Sequence, residues 1–257
     1  MCGIGAVVSL RRFPLSILLD IVHAQIERGQ QGTGVAWSSN GLVFLLKEAT
    51  SPSVFEVKYA AFLDKVTTRM AVIHHRLPSH GDVKYENTHP FMSCPKSPLR
   101  FAFCHNGTWL GCDLYRERLM GDGHIFQGET DTEVLMHLAE DMIVRGHTLY
   151  DAICALDKFM AGVVVALAPS ELCVSVTGFR MFYLGKTEFS YIMASTKRGV
   201  QAAAAALGET LQYTREVRRL RIRLVQEDGK MKIVATGLLV KPGKKRYRHT
   251  FGWGWWR

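Results

Sequence analysis

The chain has 257 residues, 47% of them hydrophobic and 21% charged, with a formal net charge of +9. That length and apolar content suffice for one large packed domain or two small ones and exclude a disordered or fibrous chain. The sequence has no run of about 18 apolar residues to span a bilayer, and its start lacks the basic segment, apolar stretch and cleavage site of a secretory signal; a cytoplasmic protein is expected.

In chain order, residues 3–9 read as a buried strand. "PLSILLDIVHAQIER" follows with apolar residues at Leu15, Leu18, Leu19, Val22 and Ile26, the spacing of an amphipathic helix. Two apolar runs flank Asn40-Gly41, a dipeptide that tolerates positive φ at both positions and so predicts a two-residue hairpin. A helix over 53–65, a strand ending in "AVIHHR" and a strand in "RFAFCHN" come next. In "ETDTEVLMHLAEDMIV", Thr130 and Glu133 form the pattern of a capping box, which places Asp131 in the first helical turn. A helix is predicted over 148–157. Strands follow at 159–168, 171–177, 181–185 and 189–194, then a helix through "GVQAAAAALG" and a hairpin about Asp228-Gly229. No repeat or linker interrupts this order, which describes an α+β domain with antiparallel character.

The six cysteines show neither C-x-x-C pairs nor the density of a disulfide scaffold, so most are expected to be reduced core thiols. Cys2 is different in one respect. Loss of Met1 would expose its thiol and its own α-amino group together, a nucleophile and a base in one residue. Taken alone, a cysteine at the start of a buried strand is an ordinary small core residue.

The segments that follow it change that reading. Behind "MCG" come "HHRLPSHG" (74–81), "ENTHPF" (86–91), "FCHNG" (103–107) and "TDTEV" (130–134). This ordered series resembles the class II glutamine amidotransferases, a branch of the N-terminal nucleophile (Ntn) hydrolases, over residues 2 to about 240. The resemblance implies an α+β fold, a four-layer αββα sandwich of largely antiparallel sheets, as a glutaminase domain over 1–240 followed by a basic tail over 241–257. It implies hydrolysis of L-glutamine to glutamate and ammonia through a γ-glutamyl thioester on Cys2, with no cofactor.

By the same resemblance, the Asn106 side-chain amide and the Gly107 backbone N–H donate to the oxyanion. Arg76 takes the α-carboxylate of glutamine, a match between planar guanidinium and carboxylate, and Asp131 takes the α-ammonium. Ser79 and His80, with Gly81, belong to the loop that covers the substrate. Arg28, Gly29 and His89 support the pocket. "RGQQGTG" (28–34) departs from the family's Arg-Gly-x-Asp-Ser-x-Gly at Gln31 and Gly32, and Leu77 stands where relatives often carry Trp or Tyr, so a different pocket wall and a looser closure are expected. "NGT" at 106–108 is also a glycosylation sequon, idle without a secretory route.

Five histidines (His74, His75, His80, His89, His105) crowd the stretch 74–105, but neighbours on a strand point to opposite faces and no acid or thiol shares a ligand spacing with them; no metal site is expected. Basic charge gathers at the C-terminus, where residues 211–257 hold thirteen Lys or Arg against three acids. The tail "KPGKKRYRHTFGWGWWR" mixes cations with Trp253, Trp255 and Trp256. Such a mixture suits docking on a protein partner, the favoured reading, or RNA through phosphate neutralisation and base stacking. Relatives commonly carry a second domain that uses the ammonia, so a separate synthase subunit is the expected partner. Two other readings use the same residues: a stand-alone hydrolase of γ-glutamyl compounds, and a non-catalytic RNA- or protein-binding member of the fold.

Overall fold

The computed structural model describes residues 2–78, 81–178, 180–227 and 230–237. Two sheets lie face to face between layers of helices. The first carries strands β1 (Gly3–Pro14), β2 (Thr33–Ser39), β3 (Leu42–Glu48), β4 (Thr67–His75), β9 (Phe182–Lys186), β10 (Ser190–Ala194) and β11 (Tyr213–Val217) in the order β11-β9-β10-β1-β4-β2-β3. The second carries β5 (Phe91–Met92), β6 (Ala102–Thr108), β7 (Ala161–Leu167), β8 (Glu171–Val176), β12 (Leu220–Glu227) and β13 (Lys230–Gly237) in the order β13-β12-β8-β7-β6-β5. Neighbouring strands are antiparallel throughout the described residues.

Alternation along the strands builds the layers. From β1, Ile4, Ala6 and Val8 point between the sheets and meet Ala102 and Cys104 of β6 and Val163, Val165 and Leu167 of β7. The opposite faces are covered as well. Val7 packs under α1 (Ile17–His23) and α6 (Lys197–Ala206), together with Phe55 and Leu63 of α2 (Pro52–Lys65). Phe103, Val164 and Ala166 pack under α3 (Cys112–Gly121), α4 (Asp131–Val144) and α5 (Leu149–Ala155). Burial on both faces is why these strands read as nearly continuous apolar runs. Each fully buried large side chain contributes about 1.5–3 kcal/mol. This is the αββα sandwich the sequence led us to expect.

Several elements differ from expectation. The first predicted helix stops at His23, and a short 3-10 turn covers Ile26–Arg28. Gln25 turns its side chain inward to donate to the Ile4 carbonyl at 3.2 Å, which breaks the helical path. The Asn40-Gly41 hairpin is present, with φ of 51° and 75°. Thr130 caps α4 through the Glu133 N–H at 3.3 Å, but the Glu133 carboxylate accepts from Gln127 N and Gly128 N instead of closing the box. Strand β11 and helix α3 escaped the sequence reading. The first is a charged edge strand, and the second buries only Cys112 and Leu119, too few for a periodic signal.

Asn106-Gly107 lies within β6 and is no turn. The cysteines are unpaired; Cys104, Cys112 and Cys173 are core thiols, whereas Cys94 is exposed. The tip of the last hairpin, Asp228-Gly229, and the expected tail, 241–257, lie outside the described residues. Among the described residues no helix is long and apolar enough to cross a membrane.

Candidate active site

Cys2 stands at the entrance to β1, and pairing within the two sheets brings the ends of β4 and β6 beside it. Gly3 pairs with His75, and a Cβ on Gly3 would fall 1.7 Å from His75 Nε2, so only glycine fits behind the thiol. The Cys2 sulfur lies 3.3 Å from both the N–H and the carbonyl oxygen of Leu77. Its carbonyl accepts from Asn106 Nδ2 at 2.8 Å and from Arg28 Nε at 3.0 Å. A residue at the start of the chain is thereby fixed by groups from β6 and from the turn after α1.

Cys2, Arg76, His105, Gly107, Asp131 and Thr132 line one small pocket. Arg76 is 2% exposed and donates to the carbonyls of Asp82 and Gly81 at 2.9 and 3.0 Å. Asp131 is 4% exposed, and its Oδ2 accepts from Trp109 N–H at 2.7 Å. At Gly107 a Cβ would sit 2.3 Å from His105 Nε2 and 3.0 Å from the Ala161 carbonyl oxygen, so a bare backbone is required there. Gly29 has the same constraint, since its Cβ would meet the Arg76 carbonyl carbon at 2.5 Å. Ser79 and His80 lie outside the described residues.

Burial raises the Cys2 thiol above its ordinary range; the Leu77 N–H and the Arg76 charge offset part of that effect, and Asp131 adds to it. The thiol is therefore neutral at rest. The histidines around it are neutral too. Burial, aided by Arg76, holds His74 and His89 well below the usual value; burial lowers His75 to about 4 and lowers His105. His89 Nδ1 and His74 Nε2 share a proton at 3.1 Å, His75 Nδ1 donates to the Gly29 carbonyl at 2.8 Å, and His105 Nδ1 meets Thr132 Oγ1 at 3.2 Å. They frame the pocket, with His89 and His105 in its lining and His74 and His75 on opposite faces of β4.

The model of the family "Glutamine amidotransferases class-II" matches residues 13–180. This chain belongs to the class II glutamine amidotransferases. Among its relatives is the glutamine–fructose-6-phosphate aminotransferase [isomerizing] of Methanothermobacter thermautotrophicus, 31% identical over 76% of the chain and 33% of the relative. Another is the amidophosphoribosyltransferase of Bacillus subtilis, 28% identical over 89% of the chain and 46% of the relative. A solved structure of glutamine phosphoribosylpyrophosphate (PRPP) amidotransferase from B. subtilis, complexed with ADP and GMP, superimposes with a TM-score of 0.73 at 26% identity over 92% of the chain and 49% of that protein. The chain thus spans about a third to a half of the length of these relatives.

The departures of this chain from the family pattern have a spatial account. A Cβ on Gly32 would lie 2.9 Å from Thr88 Oγ1, so Thr88 fills the place a serine would take, and Gln31 is exposed. Leu77 turns its side chain outward, 42% exposed, while its backbone holds the Cys2 sulfur. Sequence reasoning missed three residues that shape the pocket. Thr132 orients His105. Asn87, fully buried, donates to the Asp82 carbonyl and accepts from Glu129 N–H, joining the segment beside Arg76 to the segment before Asp131. Arg116 of α3 donates to the carbonyls of Gly128 and Thr130 at 2.9 Å each, steadying the start of α4. Asn87 stands within the quoted "ENTHPF"; Arg116 left no signal, because α3 itself left none.

Proposed function

We propose that this chain is a glutaminase unit that converts L-glutamine and water to glutamate and ammonia at Cys2. The observation that carries the reading is one pocket lined by the Cys2 thiol, a buried guanidinium, a buried carboxylate and a backbone glycine. After removal of Met1, the Cys2 sulfur attacks the side-chain amide carbon. The freed α-amino group, with a pKa of about 7.7–8.0, takes the thiol proton as the bond forms. A thiol raised by burial supports the need for such a base, since little thiolate is present beforehand.

The C–N bond then breaks, the α-ammonium returns its proton to the departing nitrogen, and ammonia leaves a γ-glutamyl thioester. Water attacks that thioester, releasing glutamate and restoring the thiol. The Gly107 N–H and Asn106 are the proposed oxyanion donors; an amide has two N–H donors, and one of Asn106's goes to the Cys2 carbonyl. Arg76 and Asp131, which line the same pocket as the thiol, take the two charges of the free amino acid. Ser79 and His80 belong to the proposed cover, with Arg28, Gly29 and His89 behind the pocket.

Intact mass spectrometry after incubation with 6-diazo-5-oxo-norleucine tests this directly. The expected species lacks Met1 and carries one label, and Cys2→Ala carries none. A protein that retains Met1 and stays unlabelled refutes the reading.

The ammonia is proposed to pass to an acceptor enzyme on a separate subunit. Support comes from the relatives, whose names describe transferases and whose matched region is a third to a half of their length. The tail over 241–257 is the proposed docking segment. Removing it should weaken co-purification with the partner while labelling of Cys2 continues at the same rate.

A further inference from the structure

Outside the pocket lining, three side chains converge at the middle of α4 that the proposed chemistry does not use. His137 and Glu140 lie one turn apart on α4, and His124 reaches them from the segment that joins α3 to α4. His124 Nδ1 lies 3.1 Å from His137 Nδ1 and 3.8 Å from Glu140 Oε2, and His137 Nδ1 lies 2.6 Å from the same oxygen. We propose that His124, His137 and Glu140 bind a divalent transition metal of the zinc type.

The geometry is that of three corners of a tetrahedron. Bonds of about 2.0–2.1 Å to a tetrahedral zinc place ligand atoms about 3.3 Å apart, and the three observed separations bracket that value. The His137–Glu140 edge has to open and the His124–Glu140 edge to close by about half an ångström each. Donor chemistry agrees, because two imidazoles and one carboxylate suit zinc and its neighbours better than magnesium or calcium.

Protons fit the same arrangement. His124 Nε2 lies 2.9 Å from Asp141 Oδ1, and a carboxylate partner keeps the ring proton on Nε2 and turns the Nδ1 lone pair toward the cluster. Glu140 Oε1 accepts from the backbone N–H of Cys94, which fixes the carboxylate while Oε2 faces the two rings. His137 is 4% exposed, and its Nε2 is buried without a hydrogen-bond partner, so no protein group competes through that nitrogen for the ring's orientation. Without a cation, three basic atoms crowd one point and must share protons among themselves. One divalent ion satisfies all three. The side chain of His124 is 17% exposed, which leaves a path from solvent and a fourth position for water.

The role that follows is structural. The ion would tie the segment after α3 to the body of α4, on the same helix that begins at Asp131, and would do so whether or not the pocket hydrolyses glutamine. The test uses the full chain stripped with a chelator and titrated with Co2+ and Zn2+. Expected are one tightly held equivalent, visible d–d absorption of a tetrahedral cobalt site with nitrogen and oxygen ligands, and a higher melting temperature with Zn2+. His124→Ala and Glu140→Gln should lose the bands, and Asp141→Asn should lower affinity about 10- to 100-fold. Near-ultraviolet circular dichroism shows that each variant is folded. Should the alanine variant unfold, the wild-type spectrum still decides, since thiolate-to-cobalt charge transfer would locate the ion at a cysteine. The proposal is overturned by such thiolate bands, by binding that survives His124→Ala, or by a folded wild-type protein indifferent to both metals, which is a hydrogen-bonded cluster only.

Discussion

Burial lowers the pKa of His124 as it does that of the histidines around the pocket, yet the outcomes differ because only His124 has a carboxylate that outweighs it. His74, His75, His89 and His105 are packed beneath the pocket among one another and beside Arg76, and burial keeps them neutral. His124 faces Asp141 and Glu140, and the hydrogen bond to Asp141 raises it above its ordinary value despite partial burial. Crowding along the chain therefore says little about what histidines do. The first group, His74, His75, His89 and His105, is held by carbonyls, hydroxyls and other rings; the second, His124 and His137, is the one with carboxylates. A carboxylate partner, not burial, sets His124 apart from the framework histidines.

The largest test of this contrast is at the framework group. Alanine at Gly3 would place its Cβ in the His75 ring and push Cys2 off its seat, and a displacement of about 1 Å in a reacting group can cost about 100-fold in rate. Labelling of Cys2 by the diazo-ketone should fall by that order while the protein remains folded. Gly107→Ala, which presses on the His105 ring and the Ala161 carbonyl, should lower steady-state glutamine turnover about 100- to 1,000-fold if its N–H serves the oxyanion.

Acidification is the next test. The neutral histidines have folded pKa values below their unfolded ones, so their contribution to stability is complete above about pH 6.5 and is lost as pH falls through the folded values. Denaturant midpoints should drop between pH 6.5 and 4, the value reached by His75. His124 has the reverse sign. Its contribution is full below about pH 6.5 and disappears as pH rises through its raised folded value, an effect that Asp141→Asn should remove.

A smaller effect is expected at Arg76→Gln. The cation lowers the Cys2 thiol, so its loss should move the pH midpoint of iodoacetamide alkylation of Cys2 further up. The smallest is the stability change in metal-free Asp141→Asn, within about 1 kcal/mol for a partly exposed ion pair, read from denaturant melts.

Much of the molecule was legible before folding because its signals are local. The left-handed pair Asn40-Gly41, the Thr130 cap that puts Asp131 at the head of α4, and the apolar runs of the inner strands depend on residues two to four positions apart. The quoted segments around Cys2, Arg76, Asn106 and Asp131 were visible for the same reason, and they marked residues that packing later gathered. Other features had no local signature. Glu133 left the expected box to hold Gln127 and Gly128, Gln25 broke a helix by reaching Ile4, and Thr88 claimed the space over Gly32.

The sequence by itself determined an α+β domain with antiparallel strands and the order of nearly every element, since backbone preference and hydrophobic period act over a few positions, and its family resemblance supplied the αββα class and the residues from which a pocket could be drawn. Tertiary structure alone decided that Asn106 and Arg28 grip the Cys2 carbonyl, that α3 braces Asp131 through Arg116, and that His124 meets His137 and Glu140. Those contacts follow from strand register and from helices laid across sheets. No stretch of chain records them, because each joins residues whose separation in sequence exceeds the reach of a single turn or strand.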